Sequence, residues 1–459
     1  MERNAELDVV VVGSGSGGKM VAQQLAQAGL DVVLVERGLV GGFCPYVACV
    51  PAKSLLLSAR ARLSWVAARA VRDTAASDRD DTAPARQLVE DGVRVVRGTA
   101  RLGATNPEDT NPGHPSSGQT RTVRVDLSGG GTEVLTTRTL VIGTGSTPVR
   151  LPVDGLEDAP NWTSEEALSA DDLPRRLVVL GGGPVACELA QAFRGLGSEV
   201  TLVQRGPHLL SSEPRWVGDA VADALAAEGV DVRTGVEAVR VEATADAHVL
   251  VLDDGSRLDT DRVLSATGRR PVTTDLGLDD EWLTTSGALR TDARCRVVDA
   301  SGVTVPGLFA VGDVTGISNY THTANHQART VVGELLGRGR DADYSAIPRA
   351  VFTNPAVFCV GDTSGKDARS ARFDVGEVER ATLTQLSRRE AVTGGVELFV
   401  GADGVLVGAA CVGPDADSWG GELALAVRAR LDIDLLTHHV RAFPTWSEAI
   451  FPALEELSR

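Results

Sequence analysis

Apolar residues in this chain fall into short unbroken runs punctuated by glycine, not into long amphipathic repeats. Leu7 to Gly38 reads LDVVVVGSGSGGKMVAQQLAQAGLDVVLVERG. It holds a valine run, a glycine-rich turn, a helical stretch of Ala, Gln and Leu, a small turn near Gly29 and a second apolar run. Leu177 to Gly206, LVVLGGGPVACELAQAFRGLGSEVTLVQRG, repeats that order with its small turn at Gly197. Each stretch predicts a βαβ unit, so the chain is expected to be α/β with two Rossmann-like domains. Another strand, Thr139 to Ile142, leads into Gly143-Thr144-Gly145-Ser146. After Tyr344 the pattern turns to Val- and Phe-rich strands with intervening helices and no further glycine fingerprint. Tyr344 onward, residues 344–459, is expected to be a third, α+β domain. The stretch Gly103 to Gln119, rich in Pro, Gly, Ser and Asn, predicts an exposed loop between strands, and Asp73 to Asp81 predicts polar surface.

The glycines carry the first chemistry. In Gly13-x-Gly15-x-x-Gly18 the first allows a tight turn, the second lets backbone N–H groups approach a pyrophosphate, and the third lets helix and strand pack closely. Glu36, at the end of the second strand, is placed to accept hydrogen bonds from a ribose diol, with Arg37 beside it. The second fingerprint is Gly181-x-Gly183-x-x-Ala186. In the same register Gln204 replaces Glu36 and Arg205 replaces Arg37. Losing the carboxylate removes both a partner for a 2′-hydroxyl and a repulsion against a 2′-phosphate, which favours NADPH, with NADH as the other possibility. Arg37 shows that an arginine at this position can also be incidental.

Between the fingerprints lies Gly41-Gly42-Phe43-Cys44-Pro45-Tyr46-Val47-Ala48-Cys49-Val50-Pro51-Ala52-Lys53-Ser54. Bridging two cysteines needs Cα atoms about 4.4–6.8 Å apart, and five residues along a regular helix the side chains diverge. A distorted start, with Cys44 on the entering loop and Cys49 inside the helix, removes that obstacle, and Gly42 and Pro45 supply the irregularity. A helix N-terminus also lowers a thiol pKa. Two unrelated buried cysteines are the plain alternative.

The balance of 43% hydrophobic and 23% charged residues is that of a globular protein, and 459 residues call for two to four domains. A net charge of −17 argues against a nucleic-acid partner. The chain meets its first strand almost at once, with an apolar run too short for a signal peptide or a membrane span, so a cytoplasmic protein without membrane association is expected. Six cysteines are too few for a disulfide framework, and Cys187, Cys295, Cys359 and Cys411 read as buried packing.

GGFCPYVACVPAKS resembles the redox-disulfide segment of the class I pyridine nucleotide–disulfide oxidoreductases, which include dihydrolipoamide dehydrogenase, glutathione reductase and mercuric reductase. The likeness extends over nearly the whole chain. It takes in Gly143 to Ser146, Ala266-Thr267-Gly268-Arg269, Gly307-Leu308-Phe309-Ala310-Val311-Gly312-Asp313 and Tyr320-Thr321-His322-Thr323-Ala324. It implies a glutathione reductase-like fold and a homodimer. The domain over 1–150 and 272–343 would bind FAD, 151–271 would bind NAD(P)H, and 344–459 would form the interface. It also implies FAD contacts from Gly42, Lys53, Thr144, Gly145, Asp313 on the ribityl chain, and Ala324. Gly268 would border the NADPH site. His322 has two readings, an FAD contact or a helix cap. By the same likeness Cys49 faces the flavin, Cys44 exchanges with substrate, and Lys53 and Glu188 form an ion pair beside the flavin, a surface salt bridge being the alternative.

One departure matters. The family's C-terminal His-Pro-Thr-x-x-Glu is here Phe443-Pro444-Thr445-Trp446-Ser447-Glu448, with Arg441 where a second histidine is often found. Phenylalanine carries no proton, so the usual general acid is missing and Glu448 has no histidine to orient. Tyr46 is a substitute acid or a packing residue, while His438 and His439 read as surface or helix-end histidines. Mercuric reductases share a Phe-Pro here but add C-terminal cysteines. This chain ends LEELSR, so neither mercury nor a metal site is expected. The expected activity passes electrons between NADPH, flavin and the Cys44–Cys49 pair to, or in reverse from, a small disulfide or dithiol. The alternative is direct flavin reduction of a quinone or oxygen, or dehydrogenation of a specialised metabolite, with Phe443 and Trp446 as an apolar substrate wall. A non-catalytic nucleotide-binding protein is the least supported reading.

Overall fold

The computed structural model describes residues 6–106, 120–243, 248–388 and 391–459, and these are the described residues below. The chain divides into two compact units. One comprises Met1–Pro51, Asp73–Pro148 and Arg269–Asp343; the other comprises Ala52–Arg72, Val149–Gly268 and Tyr344–Arg459.

The first unit is built on a seven-stranded mixed sheet whose central strands run parallel. Strand β1 (Leu7–Val12) lies between β2 (Val32–Glu36) and the strand Thr132–Ile142, pairing Val10 with Val33 on one side and with Leu140 on the other. Val9, Val10, Val11 and Val12 are all buried, because a parallel strand covered on both faces has no solvent side. Helix α1 (Ser16–Gln27) packs Val21, Ala22 and Leu25 against this sheet. Helix α2 (Phe43–Val47) follows β2, and α3 (Cys49–Arg60) begins in this unit but from Ala52 belongs to the second. The strand Arg94–Asn106 continues through Gly103 and pairs Thr105 with Arg121 and Asn106 with Thr120. Residues 103–106 of the loop expected from Gly103 are therefore strand, because Thr105 and Asn106 gain ladder partners; its remainder, 107–119, lies outside the described residues.

The second unit holds the repeat of the βαβ pattern. Strands β3 (Arg176–Leu180) and β4 (Glu199–Gln204), joined by helix α4 (Pro184–Gly195), lie in a five-stranded parallel sheet, and a three-stranded antiparallel sheet belongs to the same unit. The C-terminal residues form a separate five-stranded antiparallel sheet. It is covered by the helix Ile450–Leu457, whose Ile450, Leu454 and Leu457 are buried. The four scattered cysteines, Cys187, Cys295, Cys359 and Cys411, are buried within these cores. No helix among the described residues is long and apolar enough to cross a membrane.

Candidate active site

The first fingerprint is shaped around an open approach path for a ligand. Gly13 has φ +97°, and a Cβ there would stand 2.3 Å from the Gly143 carbonyl oxygen. A Cβ on Gly18 would stand 2.0 Å from the Gly13 oxygen. These two glycines are required by the fold itself. Gly15 is different: its φ is −56°, open to any residue, and a Cβ there would meet nothing within 4 Å. Neither backbone strain nor protein packing accounts for this glycine, and the space above it is open. Glu36 borders the same turn, with Oε2 accepting from Ser14 N at 2.7 Å and Ser14 Oγ at 2.6 Å, and Oε1 accepting from Gly38 N at 2.7 Å. The adjacent Arg37 is exposed.

Gly42 packs directly on this turn, for a Cβ there would lie 2.7 Å from Gly15 Cα. The chain then enters α2 at Phe43, so Cys44 sits inside a helical turn and not on the expected loop. Ala48, at φ −139° and ψ −100°, breaks the helical path, and Cys49 opens α3 instead of lying within it. Gly42, at φ +73°, supplies the irregular entry expected of it, and a second break falls at Ala48 and not at Pro45. Both cysteines are half-buried, and Cys49 Sγ lies 3.9 Å from Thr321 Oγ1. Thr321 is the first residue of the helix Thr321–Leu335. Tyr46 is buried, and its phenolic hydroxyl donates to the Val40 carbonyl at 2.9 Å. Burial, then Asp81 and Asp80, push that phenol above its usual range, so its proton is committed to a backbone acceptor.

Asp313, in the same unit, accepts from Ser146 Oγ at 2.6 Å, and Arg269 donates to that Oγ at 2.7 Å. Burial raises the Asp313 carboxyl above the usual carboxylate range. The Arg269 guanidinium also stacks 5.6 Å from the Phe43 ring, beside Cys44. Gln327, fully buried, accepts from Gly312 N at 2.6 Å and so fixes the turn that presents Asp313. Thr144 Oγ1 donates to the Val272 carbonyl at 2.6 Å, and Gly145 adopts φ +71°. His322 stacks on Tyr320 with ring centroids 5.0 Å apart at the start of the helix Thr321–Leu335, and Ala324 is buried within that helix. Ser146, Arg269 and Gln327 were not singled out by sequence pattern for these roles, since their partners lie far along the chain.

In the second unit the fingerprint repeats the same logic. A Cβ on Gly181 would stand 2.5 Å from the Ala266 oxygen, whereas one on Gly183 would meet nothing within 4 Å. Ala186 is buried in α4. Gln204 ends β4 half-buried, Arg205 follows it exposed, and Gly268 adopts φ +140°. Lys53 Nζ and Glu188 Oε2 are 2.6 Å apart, with the Glu188 side chain only 6% exposed. The carboxylate end of this pair is buried, while the Lys53 side chain is 32% exposed. Phe352 completes it: its N–H donates to Glu188 Oε1 at 3.0 Å, and its ring centroid lies 4.6 Å from Lys53 Nζ. Nothing in VFTNP marks Phe352 for that task.

The C-terminal departure has a definite geometry. Phe443 is 72% exposed and lines a cavity of about 500 Å³ with Phe373, Phe451, His439, Arg441 and Glu448. Trp446 does not share that wall; it lies under the Arg380 guanidinium at 5.9 Å and packs on the core. Its place in the turn Trp446–Ala449 directs it inward. Glu448 closes a capping box, accepting from Thr445 N at 3.0 Å, which is a structural task independent of any histidine. Arg441 is held by Glu422 at 2.5 Å, and His438 Nδ1 donates to the Asp434 carbonyl at a helix end. No cluster of metal-ligating side chains occurs among the described residues.

Comparison with known proteins gives a consistent answer. The sequence profile described as pyridine nucleotide-disulphide oxidoreductase matches residues 7–328, and that of its dimerisation domain matches 347–454. A mercuric reductase of Acidithiobacillus ferrooxidans is 31% identical over 99% of this chain and 83% of its own length. A dihydrolipoyl dehydrogenase of Geobacillus stearothermophilus is 30% identical over 98% of this chain and 96% of its own. Among solved structures, the Cu(II) complex of the HOCl-induced flavoprotein disulfide reductase RclA from Escherichia coli superposes with a TM-score of 0.83 at 25% identity, covering 99% of this chain and 100% of that one. LpdA from Mycobacterium tuberculosis shares the fold with a TM-score of 0.82 at 24% identity, covering 98% of this chain and 100% of that one.

Proposed function

The chain belongs to the pyridine nucleotide–disulphide oxidoreductases, an FAD-dependent enzyme family, and on that premise we propose that it is an NADPH-dependent, homodimeric reductase of small disulfides working through Cys44 and Cys49. The observation that carries this reading is the break at Ala48, which puts the two cysteines on separate helical segments beside the first glycine fingerprint. In it, the domain over 1–150 and 272–343 holds FAD through Gly13, Gly15, Gly18, Glu36, Gly42, Thr144, Gly145 and Asp313. The open space over Gly15 and the half-buried acid at Asp313 fit that group. When bound, FAD supplies the exchange of an electron pair between a nicotinamide and sulfur.

The chain's own sulfur chemistry balances without further reagents. The Cys44 thiolate attacks one sulfur of the acceptor disulfide, forming a mixed disulfide and expelling one thiolate. The Cys49 thiolate then attacks Cys44 Sγ, expels the second thiolate and closes the Cys44–Cys49 bond. The acceptor gains two electrons and the pair loses two. Lys53 follows Cys49 by one turn of α3, about 6 Å along the axis, and brings a cation compensated by Glu188. With Phe443 in place of an acid and the Tyr46 proton given to Val40, neither departing thiolate receives a proton from these residues. The favoured acceptors are therefore disulfides with low-pKa leaving thiols.

Anaerobic titration with NADPH and counting of alkylated thiols in the native protein tests this. Two new thiols are expected per chain, with no contribution from Cys187, whose thiol is pushed up to about 12 by burial, or from the equally buried Cys359 and Cys411. A count that does not rise on reduction overturns the sulfur route. Nucleotide choice rests on Gln204 and the exposed Arg205. Arg205→Ala is expected to raise KM for NADPH roughly tenfold, the worth of a charge-assisted hydrogen bond to phosphate, and to leave KM for NADH unchanged. Equal effects on both nucleotides would point to NADH.

A further inference from the structure

A five-residue helix cannot hold itself in place, because helix nucleation is unfavourable and too few bonds follow to repay it. Helix α2, which carries Cys44, is such a helix, and the chain reaches it through Gly38, Gly41 and Gly42. Its position must come from tethers. Two of them converge on one residue. Val40 N donates to Asp81 Oδ2 at 2.5 Å, and the Val40 carbonyl accepts from the Tyr46 hydroxyl at 2.9 Å. The Tyr46 ring also lies against Gly41, where a Cβ would stand 3.2 Å from Cε2.

Asp81 is fixed in turn by Arg97, whose Nη1 lies 2.7 Å from Oδ2 and also donates to the Gly38 carbonyl at 2.7 Å. Gly38 N reaches Glu36 Oε1 at 2.7 Å. A continuous chain of polar contacts thus runs from Glu36 through Gly38, Arg97, Asp81 and Val40 to Tyr46. Burial opposes ionisation of Asp81, but the Arg97 and Val40 hydrogen bonds prevail and hold its carboxyl below the usual range. The Asp73–Asp81 stretch, expected to be plain polar surface, therefore contributes a largely buried carboxylate, its side chain 14% exposed.

We propose that Asp81 and Tyr46 are positioning residues that brace Val40 from both sides and so set the spacing of the Cys44–Cys49 pair. Asp81, through Arg97 and Gly38, also shares that restraint with the ribose-facing acid Glu36. The inference rests on the sulfur relay proposed above. Holding α2 in place raises the effective concentration of the Cys44 thiol at Cys49 and favours the closed disulfide. Freeing either tether favours the dithiol.

The test uses the FAD-loaded protein, equilibrated anaerobically in glutathione redox buffers, with the Cys44–Cys49 state read by alkylation and mass. Tyr46→Phe and Asp81→Asn keep shape and remove one tether each. Each is expected to shift the equilibrium toward dithiol by about two- to tenfold, the net worth of one hydrogen bond, and a tenfold shift corresponds to about 30 mV. Asp81→Asn should also weaken FAD retention, measured by cofactor release, while Tyr46→Phe should not. The double variant should shift less than the sum if both act through Val40. Wild-type potentials in both variants, alongside a working wild-type couple, overturn the brace and leave the relay standing. A wild-type protein with no dithiol–disulfide couple overturns the relay and the brace together.

Discussion

Cys44→Ser protein is expected to lose NADPH-driven disulfide reduction by at least about a thousandfold, as enzymes do when their nucleophile is removed. The serine hydroxyl keeps the shape of the segment but cannot form the mixed disulfide. Bleaching of the bound flavin by NADPH should persist, since no fingerprint residue is touched. Cys49→Ser differs in kind. Cys44 can still attack the acceptor, but nothing resolves the product, so a stable mixed disulfide should accumulate and be visible by mass. Should both variants retain full turnover with a quinone or oxygen as acceptor, direct flavin chemistry is the main activity. The exposed Phe443 and its cavity would then be the place to look for the substrate.

Gly15→Val is the second variant with a large expected effect, and it should separate folding from cofactor binding. Its backbone at φ −56° accepts valine, and a Cβ there meets no protein atom within 4 Å. The cofactor-free protein is expected to fold with an unchanged melting temperature. FAD affinity should nevertheless fall by about 3 kcal/mol, roughly a hundredfold, because the added methyl groups fill the pyrophosphate's approach. Gly13→Ala should do the reverse. Its φ of +97° and the 2.3 Å approach to the Gly143 oxygen put the cost into the fold, so the cofactor-free protein itself should melt earlier. Comparing cofactor-free forms matters, since bound FAD stabilises any variant that retains it. Loss of folding in Gly15→Val would show that the glycine serves the protein and not the ligand.

The same contrast separates the parts of the site that are legible in the sequence from those that are not. Gly13 and Gly181, Gly15 and Gly183, and the acid at Glu36 follow a local spacing, because strand, turn and helix are consecutive and their geometry is set within about thirty residues. The cysteine segment is equally local: Gly42 is irregular as its type suggests, though a second break falls at Ala48 and not at Pro45. Trp446 reads as a wall residue from its place beside Phe443, yet it packs inward under Arg380. Glu448, without a histidine to orient, caps the turn that begins at Thr445. The corrections at Trp446 and Glu448 concern where a side chain points, which spacing alone leaves open.

By itself the sequence determined the two βαβ units, the fingerprints and the absence of an acid at position 443. These are properties of period, glycine placement and residue identity, and they hold wherever the segments come to lie. Only the tertiary structure decided which polar groups are buried together. Asp81 meets Val40 across 41 positions, and Glu188 meets Phe352 across 164. Such pairings exist because burying a carboxylate demands donors, and the nearest available donor depends on which backbone strands pass by, not on what precedes it in the chain.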